Sequence, residues 1–105
     1  MTEIKWYQRK NVCGLVANGH AGFNPGNDIV CSAVSALLQT LYAGLEIKCD
    51  AKVEKHQEDG HFEIQAEYYD GNRKEVEAVF GSIIVGLELI ARGHSDHVKI
   101  ERVGW

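Results

Sequence analysis

A histidine and a cysteine stand at opposite ends of a short loop rich in Gly, Asn and Pro in residues 19–37, GHAGFNPGNDIVCSAVSAL. His20 precedes the loop, and Cys31 falls in the opening turn of a helical pattern. A thiol at a helix start is biased toward thiolate, because unpaired backbone N–H groups and the helix dipole favour negative charge there. A neighbouring imidazole serves as its base. In that chemistry His20 takes the thiol proton and the sulfur attacks an acyl carbon to form a thioester. The imidazolium then protonates the leaving amine, and water releases the acyl product. Backbone N–H groups at the helix start are the expected oxyanion donors. The plainer reading makes Cys31 a small buried residue and His20 a loop cap, and a lone Cys with a lone His leaves both open.

Asp28, Cys31 and Ser35 recur at i, i+3 and i+7, so they share a polar stripe beside the apolar stripe Val30, Val34, Leu37, Leu41. Asp28 reads first as the helix N-cap and second as a group orienting His20. Ser35 is placed to hydrogen-bond near the site or back to the carbonyl of Cys31.

The elements that must bring these residues together follow from periodicity. Residues 4–8 and 12–18 read as two strands joined by Arg9-Lys10-Asn11. Asn27-Asp28 starts a helix carried by Val30, Ala33, Val34, Leu37, Leu38 and Leu41, with Gly44 as its C-cap. Residues 45–54 alternate, Leu45, Ile47, Cys49, Ala51 and Val53 against charged neighbours, which predicts a half-buried strand. Residues 57–60 turn, with Asp59-Gly60 as the hairpin signal. The return strand has Phe62, Ile64, Ala66 and Tyr68 inside. Asn72 with Glu75 resembles a capping box, and Val76 to Ile90 gives a second amphipathic helix ending at Gly93. Residues 97–103 form the last strand. The order ββαββαβ predicts an α+β two-layer sandwich, a mainly antiparallel sheet with two helices on one face, as a single domain over residues 1–105.

The second helix is apolar beyond one stripe, through Val85 and Leu89. That points to a homodimer, the alternative being full burial within one small chain. Hydrophobic and charged fractions of 45% and 25% are those of ordinary soluble domains, and a net charge of −4 argues against nucleic acid as a direct partner. No apolar stretch is read as membrane-spanning, and no signal-peptide pattern opens the chain. Three cysteines without CxxC spacing predict free thiols in a reducing, cytoplasmic setting. Cys13 and Cys49 read as core residues. His94 and His97 form HxxH without further ligands in pattern, so they are expected to be solvated turn residues, with no metal and no cofactor. His56 and His61 are expected to be exposed beside the hairpin. Trp6 and Trp105, near the chain ends, are candidates to pack together.

The combination GHAG, a short loop, then DIVCSAVSAL resembles the bacterial ribosomal-processing cysteine protease family Prp. Its pattern is a GHA histidine followed by a D-[IV]-[VL]-C-x-A-x-S helix start. Gly19, His20 and Ala21, then Asp28, Cys31, Ala33 and Ser35, occupy those positions. The resemblance implies a cysteine endopeptidase that removes the N-terminal extension of ribosomal protein twenty-seven of the large subunit. It implies Cys31 as nucleophile, His20 as its partner, supporting positions at Asp28, Ser35, Gly19 and Ala21, and a homodimer. The intervening loop, Gly22, Phe23, Asn24, Pro25, Gly26 and Asn27, is implied to be mobile and to order over substrate. Ser32 stands where Ala is commoner, which adds a hydroxyl without changing the chemistry. Pro25 stiffens one end of the loop. The alternative function is a non-catalytic, ribosome-associated peptide-binding module, and a small metal-binding protein is a third.

Overall fold

The computed structural model describes residues 1–24, 26 and 28–104. Strands β1 (Thr2–Arg9) and β2 (Val12–Asn18) form an antiparallel hairpin, with Ile4 opposite Ala17 and Trp6 opposite Leu15. Lys10 takes a positive φ of 48° in the turn. The Arg73 guanidinium ties that turn down, donating to the Lys10 carbonyl at 2.9 Å and to Asn11 Oδ1. Strands β3 (Lys52–Glu58) and β4 (His61–Glu67) pair antiparallel across Asp59-Gly60, where Gly60 supplies φ +73°. β5 (Val98–Arg102) runs parallel to β1, giving one sheet in the order β3-β4-β2-β1-β5. A parallel neighbour needs a crossover, and helix α2 (Arg73–Gly93) provides it.

Both helices cover one face of the sheet, as the pattern predicts. Helix α1 (Ile29–Ala43) buries Val30, Val34, Leu38 and Leu41, and α2 buries Val76, Phe80, Ile83, Ile84 and Leu87. They meet the alternate strand residues Ile4, Cys13, Leu15, Ile64 and Ala66 in one core. Phe80, 1% exposed, lies edge-on to Trp6 with ring centroids 5.9 Å apart. Replacing a buried Phe of this kind by Ala costs about 3–5 kcal/mol.

The predicted strand over residues 45–54 is not present as such. α1 runs through Gly44 into a wider π-type turn, Gly44–Lys48, in which the Cys49 N–H donates to the Gly44 carbonyl at 3.2 Å. Leu45 is buried in helical phase with Leu41, whereas Ile47 is 73% exposed, so the apparent alternation is a helical face read two residues at a time. β3 begins only at Lys52. It forms an edge protected by charged side chains. Gly44 is not a left-handed terminus either, since its φ is −63°. A Cβ there would lie 3.1 Å from Val79 Cγ1, and one at Gly86 would lie 3.0 Å from Leu37 Cδ1. Both glycines serve close helix approach rather than chain reversal.

Asn72 precedes α2 but makes no side-chain cap. It is 5% exposed, accepts from the Tyr69 N–H at 2.8 Å and donates to the carbonyls of Cys49 at 3.0 Å and Asp50 at 3.3 Å. The amide therefore closes the corner left by the π turn, where Asp50 has φ 53°. With that turn included, residues Ile29–Lys48 make a helical run of 20 residues at mean hydropathy 1.4, long and apolar enough to span a membrane. This corrects the reading that no such stretch exists. Here its apolar side, from Val30 to Leu45, packs into the core.

Val85 and Leu89 are 55% and 57% exposed, so α2 is not covered on all sides within one chain. Trp6 packs on Phe80 and beneath the Arg102 guanidinium, while Trp105, Pro25 and Asn27 lie outside the described residues.

Candidate active site

β2 ends at Asn18, and Gly19 turns the chain away from the sheet with φ +91°. A Cβ at Gly19 would sit 2.3 Å from the Met1 carbonyl oxygen, so both the backbone angle and the space exclude a side chain. The Gly19 N–H donates to the Gly60 carbonyl at 2.8 Å, and its own carbonyl accepts from Thr2 Oγ1 at 3.4 Å. His20 is thereby placed over the β3–β4 turn. Its imidazole is largely exposed, with Nε2 3.7 Å from Asp59 Oδ1. Gly60 makes room for the ring, because a Cβ there would come within 3.2 Å of His20 Nε2. Ala21 is buried, which accounts for a small residue after the histidine.

Cys31 is half-buried in the first turn of α1. Asp28 is the N-cap, its Oδ1 accepting from the Cys31 N–H at 2.8 Å and its Oδ2 from the Phe23 N–H at 3.0 Å. The Cys31 amide foremost, with those of Phe23, Asn24 and Val30, holds the Asp28 carboxyl below the usual carboxylate range. Both carboxylate oxygens are thus used on the backbone, which favours the cap over a group orienting His20. The Ser32 N–H donates to the Asp28 carbonyl at 3.0 Å. The helix-start amides expected as oxyanion donors are in this way largely committed to Asp28.

His20 and Cys31 line one cleft of about 120 Å³ between the end of β2, α1 and the β3–β4 turn. Among the described residues no hydrogen bond joins the two side chains. Thr2, Leu38, Gln39, Gln57, His61 and Phe62 complete the walls, with Ser35 at the α1 side. A second groove runs over Asp28, Cys31, Ser32, Ser35 and Gln39 on the outer side of α1. Cys31 therefore stands on the ridge between two grooves and is approachable from either. Ser35 is exposed there, and among the described residues its hydroxyl makes no bond to the Cys31 carbonyl.

The other thiols are differently placed. Cys13 and Cys49 are 1% and 3% exposed, as their core reading requires. Burial, reinforced by Cys49, pushes the Cys13 thiol up to about 12. Burial, with the charge of Glu75, also raises Cys49.

Two expectations for the histidines are corrected. His94 and His97 are half-buried, because the Phe23 ring offers them an apolar surface, with centroids 5.4 and 5.3 Å away. His61 is half-buried too, held by Asn18 Oδ1 and lining the cleft, whereas His56 is exposed. Among the described residues no three His, Cys, Asp or Glu side chains converge as metal ligands. Thr2, Gln57, Gly60 and His61 join the cleft without a local signal in the sequence. The Asp59-Gly60 turn was legible, but nothing local shows that it lands beside His20.

The family model for cysteine protease Prp matches residues 1–99. The chain belongs to the Prp cysteine protease family. It is accordingly a peptide hydrolase that works through a cysteine. Prp from S. aureus, solved as an essential ribosomal processing protease with a covalently linked product peptide, is 22% identical at TM-score 0.80. That match covers 98% of this chain and 100% of the other. The same S. aureus protease with a substrate peptide is 20% identical at TM-score 0.79, covering 98% and 100%. SMU.848 from Streptococcus mutans is 27% identical at TM-score 0.76, covering 98% and 99%. No curated protein matches the chain. The Prp fold thus extends over the whole α+β sandwich described above, in the order ββαββαβ.

Proposed function

We propose that this Prp-family protease removes the N-terminal extension of ribosomal protein twenty-seven of the large subunit, with Cys31 as nucleophile and His20 as base and acid. The observation that carries the assignment is that the Gly19-His20 turn and the first turn of α1 open onto one cleft. Cys31 is moreover the cysteine outside the buried core. The S. aureus relatives, described with a covalently linked product peptide and with a substrate peptide, support acyl transfer to a thiol and a peptide ligand.

In this reading the substrate chain enters the cleft and its scissile carbonyl meets Cys31 Sγ. The thiol proton passes to His20, the S–C bond forms, and the C–N bond breaks as His20 returns the proton to the leaving amine. Water, deprotonated by His20, then cleaves the thioester. Asp28 holds the helix start and the loop rather than the imidazole. Ser35, on the outer groove, contacts the peptide. No metal or cofactor takes part, and neither nucleic acid nor membrane is a direct partner. The protein works in the cytoplasm as a homodimer joined through the exposed Val85 and Leu89 face of α2.

The test uses synthetic peptides spanning the extension junction. The wild-type protein cuts them at one bond, and Cys31→Ala and His20→Ala abolish cleavage while keeping the circular dichroism spectrum. Tight peptide binding without cleavage by the wild type would instead favour the non-catalytic binding module.

A further inference from the structure

The loop between His20 and Cys31 is held from a side that the chemistry does not use. His97, just before β5, shares a hydrogen bond at 3.0 Å between its Nδ1 and the Ala21 carbonyl. A carbonyl only accepts, so Nδ1 carries the proton and donates. His97 is itself fixed at the start of the parallel pair, since its carbonyl accepts from the Thr2 N–H at 2.9 Å and its N–H donates to the His94 carbonyl at 2.8 Å. The Phe23 ring stands edge-on to both imidazoles, at interplanar angles of 82°. From the opposite side, the Phe23 N–H is held by Asp28 at 3.0 Å.

His20 is therefore bracketed. The residue before it is tied through its N–H to Gly60, and the residue after it through its carbonyl to His97. The backbone that carries the imidazole is thus anchored on both sides. We infer that His97, assisted by His94, is a positioning residue for the proteolytic reaction: it fixes the Ala21 carbonyl, seats Phe23, and so sets where the His20 imidazole stands over the cleft. The inference rests on the assignment of His20 and Cys31 to the chemistry. Holding a base within reach of its proton is worth large factors, and a displacement of about 1 Å costs up to roughly a hundredfold in rate.

The test compares His97→Ala and His97→Asn with the wild type. An asparagine side-chain amide carries an N–H close to the Nδ1 position, so it keeps the donor and loses the ring. His97→Ala is expected to lower kcat for junction-peptide cleavage about tenfold with KM changed less than about twofold. His97→Asn is expected to recover most of that loss. Amide hydrogen exchange, which needs no turnover, should quicken at Phe23 in His97→Ala and slow again in His97→Asn. An unchanged kcat in His97→Ala, or equal losses in both variants that follow their melting temperatures, overturns the inference. If His97→Ala does not fold, His97→Asn and His94→Ala decide it by the same two readouts. Failure of the underlying assignment looks different, because Cys31→Ala would then still cleave whatever the exchange at Phe23 shows.

Discussion

The Asp28 carboxylate accepts the Cys31 N–H at 2.8 Å, and the same group accepts the Phe23 N–H at 3.0 Å. One side chain thus anchors both the turn that carries the thiol and the loop that leads from the histidine. Its negative charge also draws on the helix dipole available to Cys31.

That bond has a pH dependence with a definite sign. The folded protein holds the Asp28 carboxyl below its unfolded value, chiefly through the Cys31 amide. The stabilisation is therefore present in full above the unfolded carboxylate value, about 4, and is lost as pH falls through it toward the folded value. Urea midpoints measured between neutral and acid pH should fall over that window in the wild type. Asp28→Asn should fall less steeply, and Asp28→Ala should melt lower than either at neutral pH. A parallel acid decline in Asp28→Asn would show that other carboxylates carry the effect.

Thiol reactivity should separate the three cysteines. Cys13 is buried and pushed up to about 12, and Cys49 is buried and raised. Cys31 faces two grooves. Brief iodoacetamide treatment at neutral pH followed by peptide mapping should label Cys31 at least about tenfold faster than the others, because the thiolate fraction and exposure set the rate. Equal labelling would contradict the placement of the site.

Two glycines should fail in different ways. Gly19→Ala forces a side chain into a positive φ and against the Met1 carbonyl. A loss of about 1–3 kcal/mol or more in unfolding free energy is expected. Gly60→Ala also strains its turn, at φ +73°, and in addition pushes on His20 Nε2. Its stability should fall by a similar amount, and its kcat per folded molecule should drop as well, which thermal melts and peptide kinetics read side by side.

Much of this was legible from local patterns. Asp28 as a cap, the Asp59-Gly60 turn, the β1 and β2 strands and the inner face of β4 each follow from a few neighbouring residues. Residues 45–54 are ambiguous in the sequence, because Leu41 and Leu45 are helical neighbours while Leu45, Ile47 and Cys49 also alternate; both periods are present there. The His97 to Ala21 bond joins residues 76 apart, and the contact of Gly60 with His20 depends on how the sheet brings two hairpins together. Neither leaves a trace in spacing. The buried Asn72 looks like a cap in the sequence, because its true partners, the carbonyls of Cys49 and Asp50, exist only once the π turn is formed.

Asn72 accordingly makes a sharp stability test. Asn72→Ala leaves two carbonyls and the Tyr69 N–H without their partner. An unsatisfied buried polar group costs about 1–3 kcal/mol, so the urea midpoint should fall clearly while peptide cleavage per folded molecule is unchanged.

The exposed face of α2 predicts the assembly. Val85→Glu combined with Leu89→Glu should turn a dimer into a monomer by analytical ultracentrifugation, with little change in the circular dichroism spectrum. A wild type that is already monomeric at high concentration would refute the homodimer.

The proposed reaction turns on a covalent bond to one sulfur. The protein mixed with junction peptide and acid-quenched within the first turnover should show, by intact mass, a species heavier by the N-terminal fragment less one water. Digestion should place that thioester on Cys31, and Cys31→Ala should show neither adduct nor cleavage. Cleavage products that accumulate in Cys31→Ala, or an adduct mapped to Cys13 or Cys49, would contradict it.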